Sequence, residues 1–446
     1  MCQVIVWIIM AAAFFLQGLA ADDRIFPYPV QQTRLDNGLN VISVTFDSPG
    51  IVAYYTVVRT GSRNEIEPGL SGFAHFFEHM MFRGTEKYSK DRYNDMLKSI
   101  GADDNAFTSD DVTVYHTLAS SEALETLMDL QSDRFINLKY SEEDFKTEAG
   151  AILGEYNKNY SNPVQSIMEK LREASYQRHT YKHTTMGFLK DIMDMPNQYQ
   201  YSLQFFSRWY RPEHCALLVV GDIQHGRLVE LARKYYGGWT RGSFNLDVPL
   251  DPLQAEEKMV RIQWKAETLP VLAIGYHGPA FSDIKIDMPA MDLLSQVLFS
   301  ETSDLFRKLV IEDSVVEFVD GGETDSRDPG LFTIFSRIKD PARVEYVRDQ
   351  IFTAIENARH ELVSADRLAQ IKSFMKYNFA LGLDSANAIA RILAHYIQLT
   401  GDPESVNRVY GLYDRVTPED IRMVAEKYFG ATNRTIVVLT KEGGQP

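Results

Sequence analysis

Two kinds of periodicity divide the chain. Short apolar runs of strand length open each half. Val41–Val44, a turn and Ala53–Val58 begin the first, and Val260–Trp264, a break and Val271–Tyr276 begin the second. Ala216–Val220 closes the first half and Thr435–Leu439 the second, so openings and closings share an offset of about 220 residues. A constant offset of that size predicts a duplicated unit. Between the strands, apolar residues recur at helical spacing over Leu70–Phe82, Ser120–Leu138, Ser141–Tyr160 and Asn197–Tyr210. The second half repeats this over Met288–Leu298, Arg343–Glu361, Ala365–Tyr377 and Ala386–Gln398. Thr417-Pro418-Glu419-Asp420 starts one more helix, with a capping hydroxyl, a proline in the first turn and acidic residues after it. Strand pairs with intervening helices predict an α+β chain of two duplicated domains, each an antiparallel-rich sheet with a helical layer.

Gly, Pro and Asp accumulate between Gly237 and Glu256 and break the pattern on both sides. The expected division is an N-terminal domain over residues 21–240, a linker at 241–256 and a homologous second domain over 257–446. At 446 residues the chain exceeds one ordinary core, and 45% apolar with 24% charged residues is the composition of a soluble globular protein. A net charge of −15 argues against a nucleic-acid partner, because no basic stripe is present to neutralise phosphates. Val4–Leu16 is an unbroken apolar run followed by Gly18-Leu19-Ala20, which predicts a signal peptide over residues 1–20 and export to the periplasm or beyond. No Lys or Arg precedes the run, so a retained segment anchoring the chain to a membrane is the alternative. Of the two cysteines, Cys2 leaves with the signal and Cys215, in an apolar run, is expected in the core without a disulfide.

The chemistry concentrates in Gly72-Phe73-Ala74-His75-Phe76-Phe77-Glu78-His79-Met80. On a helix, His75 and His79 project from one face a turn apart, where two imidazoles can hold one Zn²⁺. Glu78 lies on nearly the same face, so its carboxylate can reach a metal-bound water. The pattern H-x-x-E-H inverts the commoner H-E-x-x-H zinc-peptidase motif. Taken alone, the five residues also fit a buried amphipathic helix with two incidental histidines. A hydrolytic zinc needs a third protein ligand and an open position. Glu148 and Glu155 are seven residues apart on one predicted helix, with Ile152 between them, so both carboxylates face one way. A solvated helix face would look the same; a buried one requires pairing or a metal. His116, His179, His183, His214, His225, His277, His360 and His395 lack such spacing, and His179 with His183 is a weak second candidate without a nearby carboxylate.

With Glu155 added, this motif resembles the zinc signature of the pitrilysin/insulinase metallopeptidases, in the short two-domain form of the mitochondrial processing peptidase type. The resemblance extends along most of the chain: Leu35-Asp36-Asn37-Gly38-Leu39, Phe82-Arg83-Gly84-Thr85, Asn105-Ala106-Phe107-Thr108, Tyr210-Arg211-Pro212 and Gly221-Asp222. It implies one Zn²⁺ held by His75, His79 and Glu155, with Glu78 as catalytic base and Glu148 orienting a ligand. Zinc would polarise the scissile carbonyl and acidify its water. Asn105, Ala106 and Phe107 would form an edge strand against which an extended peptide substrate pairs through its backbone.

One stretch departs from the family. Members acting as single chains or homodimers carry an arginine and a tyrosine in the second domain that reach the substrate. Asp304 and Glu317 stand in the corresponding places here, and Arg307 is the nearest substitute. Two carboxylates remove donors for a developing oxyanion. The resemblance therefore implies an exported zinc endopeptidase subunit acting on enclosed peptides or unfolded segments, completed as a heterodimer by a related non-zinc subunit. A homodimeric peptidase using Arg307, or a scaffold subunit of a membrane complex, are the alternatives.

Overall fold

The computed structural model describes residues 24–443. The expected signal segment and Cys2 lie outside that range. The first sheet contains β1 (Val30–Arg34), β2 (Asn40–Thr45), β3 (Ile51–Val58), β4 (Asp103–Thr108), β5 (Thr113–Ser120) and β6 (Cys215–Gly221), in the order β1-β2-β6-β3-β5-β4. The second contains β7 (Lys258–Trp264), β8 (Val271–His277), β9 (Val316–Glu323), β10 (Leu331–Ile338) and β11 (Arg434–Lys441), in the order β7-β11-β8-β10-β9. In each sheet one pair is parallel, β2 with β6 and β7 with β11, and every other pair is antiparallel. The second sheet thus repeats β2-β6-β3-β5-β4 strand for strand, and the chain is a duplicated α+β protein.

Burial follows position in the sheet. β6 is central and covered on both faces, so Cys215-Ala216-Leu217-Leu218-Val219-Val220-Gly221 is buried throughout. β7, at an edge, alternates half-buried with exposed residues at a period of two. Cys215 is a buried free thiol.

The helices used below are α1 (Phe73–Met80), α2 (Glu142–Tyr160), α3 (Pro163–Ser175), α4 (Tyr199–Trp209), α5 (Asp287–Phe299), α6 (Val344–His360), α7 (Ala386–Thr400) and α8 (Pro418–Tyr428). Seven of them fall within a residue or a few of the expected stretches. α3 lies outside every one, although Asn162 caps it and Pro163 opens it. Its apolar residues are few and interrupted by Gln165, Glu169, Lys170 and Arg172.

α3 also changes the layering. It comes from the first half yet packs on β7, β8 and β11 of the second sheet. There Ile167 and Leu171 close over Val271, Ala273, Val437 and Leu439. Reciprocally, α7 of the second half packs on β3 and β6 of the first sheet, and the Tyr55 hydroxyl donates to Asn387 Oδ1 at 2.9 Å. One helical layer per sheet is therefore an incomplete description: each sheet also has a face covered by a helix from the other half.

Residues 241–255 carry neither helix nor strand. Asp251 fastens this stretch to the first half by accepting the backbone N–H groups of Gln177, Arg178 and His179 at 2.7, 2.7 and 2.6 Å. A second fastening joins the halves directly: Asp328 receives Arg63 Nε at 2.6 Å and lies 2.9 Å from His179 Nε2.

Candidate metal centre

α1 starts at Gly72, whose φ of 96° is left-handed. A Cβ there would lie 2.8 Å from the Met186 carbonyl oxygen, so both conformation and space demand glycine. The helix buries Phe73, Phe76, Phe77 and Met80. Phe77 stacks on Phe205 of α4 at 5.5 Å, and Phe76 meets Phe145 of α2 at 4.9 Å. These contacts fix the rotation of α1 and turn His75, Glu78 and His79 toward α2 and β4.

α2 is started by a capping box between Ser141 and Asp144. Its inward face carries Phe145, Glu148, Ile152 and Glu155, two turns separating the carboxylates. Glu148 is buried; Glu155 is half-buried. The two helices bring His75 Nε2 to 3.9 Å and His79 Nε2 to 3.5 Å from Glu155 Oε2. One donor atom from each of His75, His79 and Glu155 lies within 4.8 Å of the others, the single such group found among the described residues. Two imidazoles and a carboxylate converging in this way fit the donor set of a hydrolytic zinc.

Glu148 lies behind the group. Its Oε1 is 3.0 Å from His79 Nδ1, and its Oε2 accepts from Arg83 Nε at 2.5 Å. This bond points His79 Nε2 at Glu155, as a carboxylate behind a metal-binding histidine does. The hydrogen bond to Glu148 raises the His79 pKa. Glu148 is pushed up by burial, but its bonds to His79 and Arg83 outweigh that and hold it below the ordinary carboxylate range. Burial, with His79 adding to it, lowers His75 to about 4, so its imidazole is neutral at physiological pH. His75 Nδ1 is buried without a hydrogen-bond partner among the described residues.

Glu78 is half-buried, and burial raises its pKa against the pull of Thr108 at the end of β4. It is not one of the three clustered donors. With His79, Phe82, Arg83, Lys90 and Asn105 it lines a cavity of about 290 Å³. β4 is the outer strand of its sheet and pairs only with β5, Asn105 facing His116 and Phe107 facing Val114. Asn105 and Phe107 are exposed and Ala106 is buried, and Asn105 shares the cavity with Glu78.

Arg83 belongs to this site, but it lies in the turn after α1, where helical spacing does not reach, and its contact with Glu148 is visible only in the fold. Thr108 could be found only through the fold. His179 and His183 do not form a second metal group: His179 meets Asp328, brought from the other half, and His183 Nδ1 lies 3.0 Å from the Thr184 carbonyl oxygen. Asp304, Glu317 and Arg307 do not line the cavity beside Glu78. Arg307 is bound to Asp304 at 2.8 Å and faces Glu312 at 3.4 Å, while Glu317 pairs with Arg337 at 3.2 Å.

A duplicated α+β fold with an inverted His-Glu-His helix facing a glutamate helix defines a metallopeptidase-like protein. Residues 44–188 match the insulinase (peptidase family M16) domain and residues 198–375 the peptidase M16 inactive domain, and the chain belongs to that family. The second match begins before β6, the closing strand of the first sheet. The chain is 26% identical over 419 residues to zinc protease PqqE of Helicobacter pylori, covering 92% of each. It is 26% identical over 410 residues to the bovine mitochondrial-processing peptidase subunit beta, covering 89% of this chain and 81% of that one. A crystal structure of a Helicobacter pylori protease superposes with a TM-score of 0.86 at 25% identity, covering 93% of this chain and all of that one. The first half of the periplasmic protease PqqL from Escherichia coli shares the fold, with a TM-score of 0.75 at 19% identity, covering 93% of this chain and 92% of that one.

Proposed function

We propose that the chain is a zinc-dependent endopeptidase subunit that hydrolyses peptides or unfolded segments. The observation that carries this is the convergence of His75, His79 and Glu155 within 4.8 Å on two helices. In this reading those three residues hold one Zn²⁺, which supplies Lewis acidity, polarising a peptide carbonyl and lowering the pKa of water toward neutral. Glu78 takes a proton from the attacking water and returns it to the leaving amine. Its raised pKa suits both steps, since a base poised nearer neutrality is also a competent acid. Glu148 holds His79 in the tautomer that leaves Nε2 free. An extended substrate adds to the free edge of β4 beside Asn105, Ala106 and Phe107, which selects for backbone shape.

The catalytic unit is residues 21–240, joined through 241–256 to a second domain without the metal residues. The working form is a heterodimer with a related non-zinc subunit supplying the arginine and tyrosine. The ion pairs that engage Arg307 support this over a homodimer relying on Arg307, and a bovine relative is itself named as a subunit. Export to the periplasm or beyond rests on the first twenty residues. No described helix is long and apolar enough to cross a membrane.

The test is metal analysis of the purified chain with turnover of an unstructured peptide, alone and with candidate partner chains, checked for mass in solution. The expected result is one zinc per chain, poor turnover alone and activity on adding the partner. Robust turnover by a pure monomer or homodimer would remove the heterodimer, and a folded chain without zinc would remove the enzyme reading.

A further inference from the structure

The two histidines of α1 are held by different means. His79 is oriented through its own ring by Glu148, whereas His75 Nδ1 has no hydrogen-bond partner among the described residues. Beyond its packing on the His79 ring, 4.8 Å away, His75 is placed by the backbone that carries it. Glu65 holds that backbone. It lies in the irregular segment before α1 and is buried, 3% exposed. Its Oε2 accepts the Gly72 N–H and its Oε1 the Ala74 N–H, each at 2.7 Å. These are amides at the open end of α1, where no capping side chain is present at Gly72 itself. The second is adjacent to His75.

We infer that Glu65 is a positioning residue for the metal centre: by gripping the Gly72 and Ala74 amides it sets where α1 begins, and so places His75 opposite Glu155. The inference rests on the zinc reading above. The grip is reinforced around it. Ser71 Oγ donates to Asp191 at 2.6 Å and accepts from Phe188 N at 2.8 Å, and a Cβ on Gly187 would lie 2.7 Å from Gly72 N. His183 Nδ1 faces Glu65 Oε2 at 3.8 Å. The left-handed Gly72 turn is thus clasped from both sides. Burial holds the Glu65 carboxyl up at about 8 against the pull of the two amides, and either protonation state leaves lone pairs on both oxygens.

Glu65→Gln replaces one acceptor oxygen by an NH₂ group, which must face one of the two amides donor to donor. The expected result is zinc affinity weakened about tenfold in competition with a chelator, comparable to losing a group behind a metal ligand. The visible spectrum of the Co²⁺-loaded full-length variant should change with it. Thr417→Ala, which removes the cap of α8 in the other half, serves as the control for plain loss of a helix cap. It should lower the melting temperature while leaving affinity and spectrum as in the wild type. If Glu65→Gln does not fold, Glu65→Asp, which keeps the acid but shortens its reach, should show the same two changes. Affinity within twofold of wild type with an unchanged Co²⁺ spectrum, in whichever variant folds, would overturn the inference alone. A folded wild-type chain that binds no zinc would overturn both it and the reading it rests on.

Discussion

α1 and α5 occupy the same place in two copies of one fold. Each lies between the second and third counterpart strands in the chain, and each packs against the outer strand of its sheet, β4 or β9. α1 presents His75, Glu78 and His79. α5 presents Met288, Met291, Leu293, Leu294 and Leu298, all buried. Its half-buried acid Asp292 accepts from the Tyr413 hydroxyl at 2.6 Å, and desolvation raises its pKa to about 6. The position therefore accepts either a packed apolar helix or a polar one. The polar version brings further polar groups with it: Glu148 behind His79, Arg83 behind Glu148, and Glu65 at the helix start. The candidate metal residues of α1 thus stand at a helix position that the second copy fills mainly with apolar side chains.

The comparison can be sharpened first at Glu78. Glu78→Gln should keep one zinc and lose peptide turnover by on the order of 10²–10⁴-fold, the usual worth of a positioned base. Loss of zinc in a folded variant would make Glu78 a ligand instead. Next come the two carboxylates of α2. Glu148→Gln should weaken zinc binding by about 10–100-fold, and Glu155→Gln should weaken it more under the same metal buffer. The reverse order would move the ligand role to Glu148.

The second domain should answer only in stability. Leu294→Ala, at a fully buried site in α5, should cost about 2–5 kcal/mol in denaturant unfolding. Zinc content of the folded fraction should stay unchanged, and a fall in zinc would show that the two helix positions are not independent. The smallest effect expected is acidic. Burial pushes the Asp328 carboxyl up, but bonds from His179 and Arg63 outweigh it and hold it at about 2. A carboxyl lowered by folding stabilises the protein above its unfolded pKa near 4 and loses that contribution as pH falls toward 2. The amount is about 2 kcal/mol. Asp328→Asn should flatten the acid limb of unfolding between pH 4 and 2, and an unchanged limb would show that this fastening is idle.

The candidate metal residues were legible because helices encode proximity in sequence: His75 and His79 are four positions apart, Glu148 and Glu155 seven. That the two helices face each other came only from resemblance, since no local pattern says so. Glu65 escaped because it sits in irregular backbone, where spacing carries no geometric meaning. β1, Val-Gln-Gln-Thr-Arg, is polar because it is an edge, and β9 ends in Asp320-Gly321-Gly322-Glu323, which reads as a loop. The exchange of α3 and α7 was invisible for a deeper reason. Periodicity shows that a helix has an apolar face but not which sheet that face will find.

That exchange has a consequence in time. A ribosome emits residues 30–221, and with them the whole first sheet, long before α7 exists to cover β3 and β6. Until residue 400 has been made, that face, with Ala53 and Val57 on it, stays open to water or to whatever chaperone attends the growing chain. α3 meanwhile waits for a sheet not yet synthesised. Neither half can close by itself, so the protein should reach its native state late and in a single step. A cut within residues 241–256 of the finished molecule should then leave two fragments that travel together until denatured.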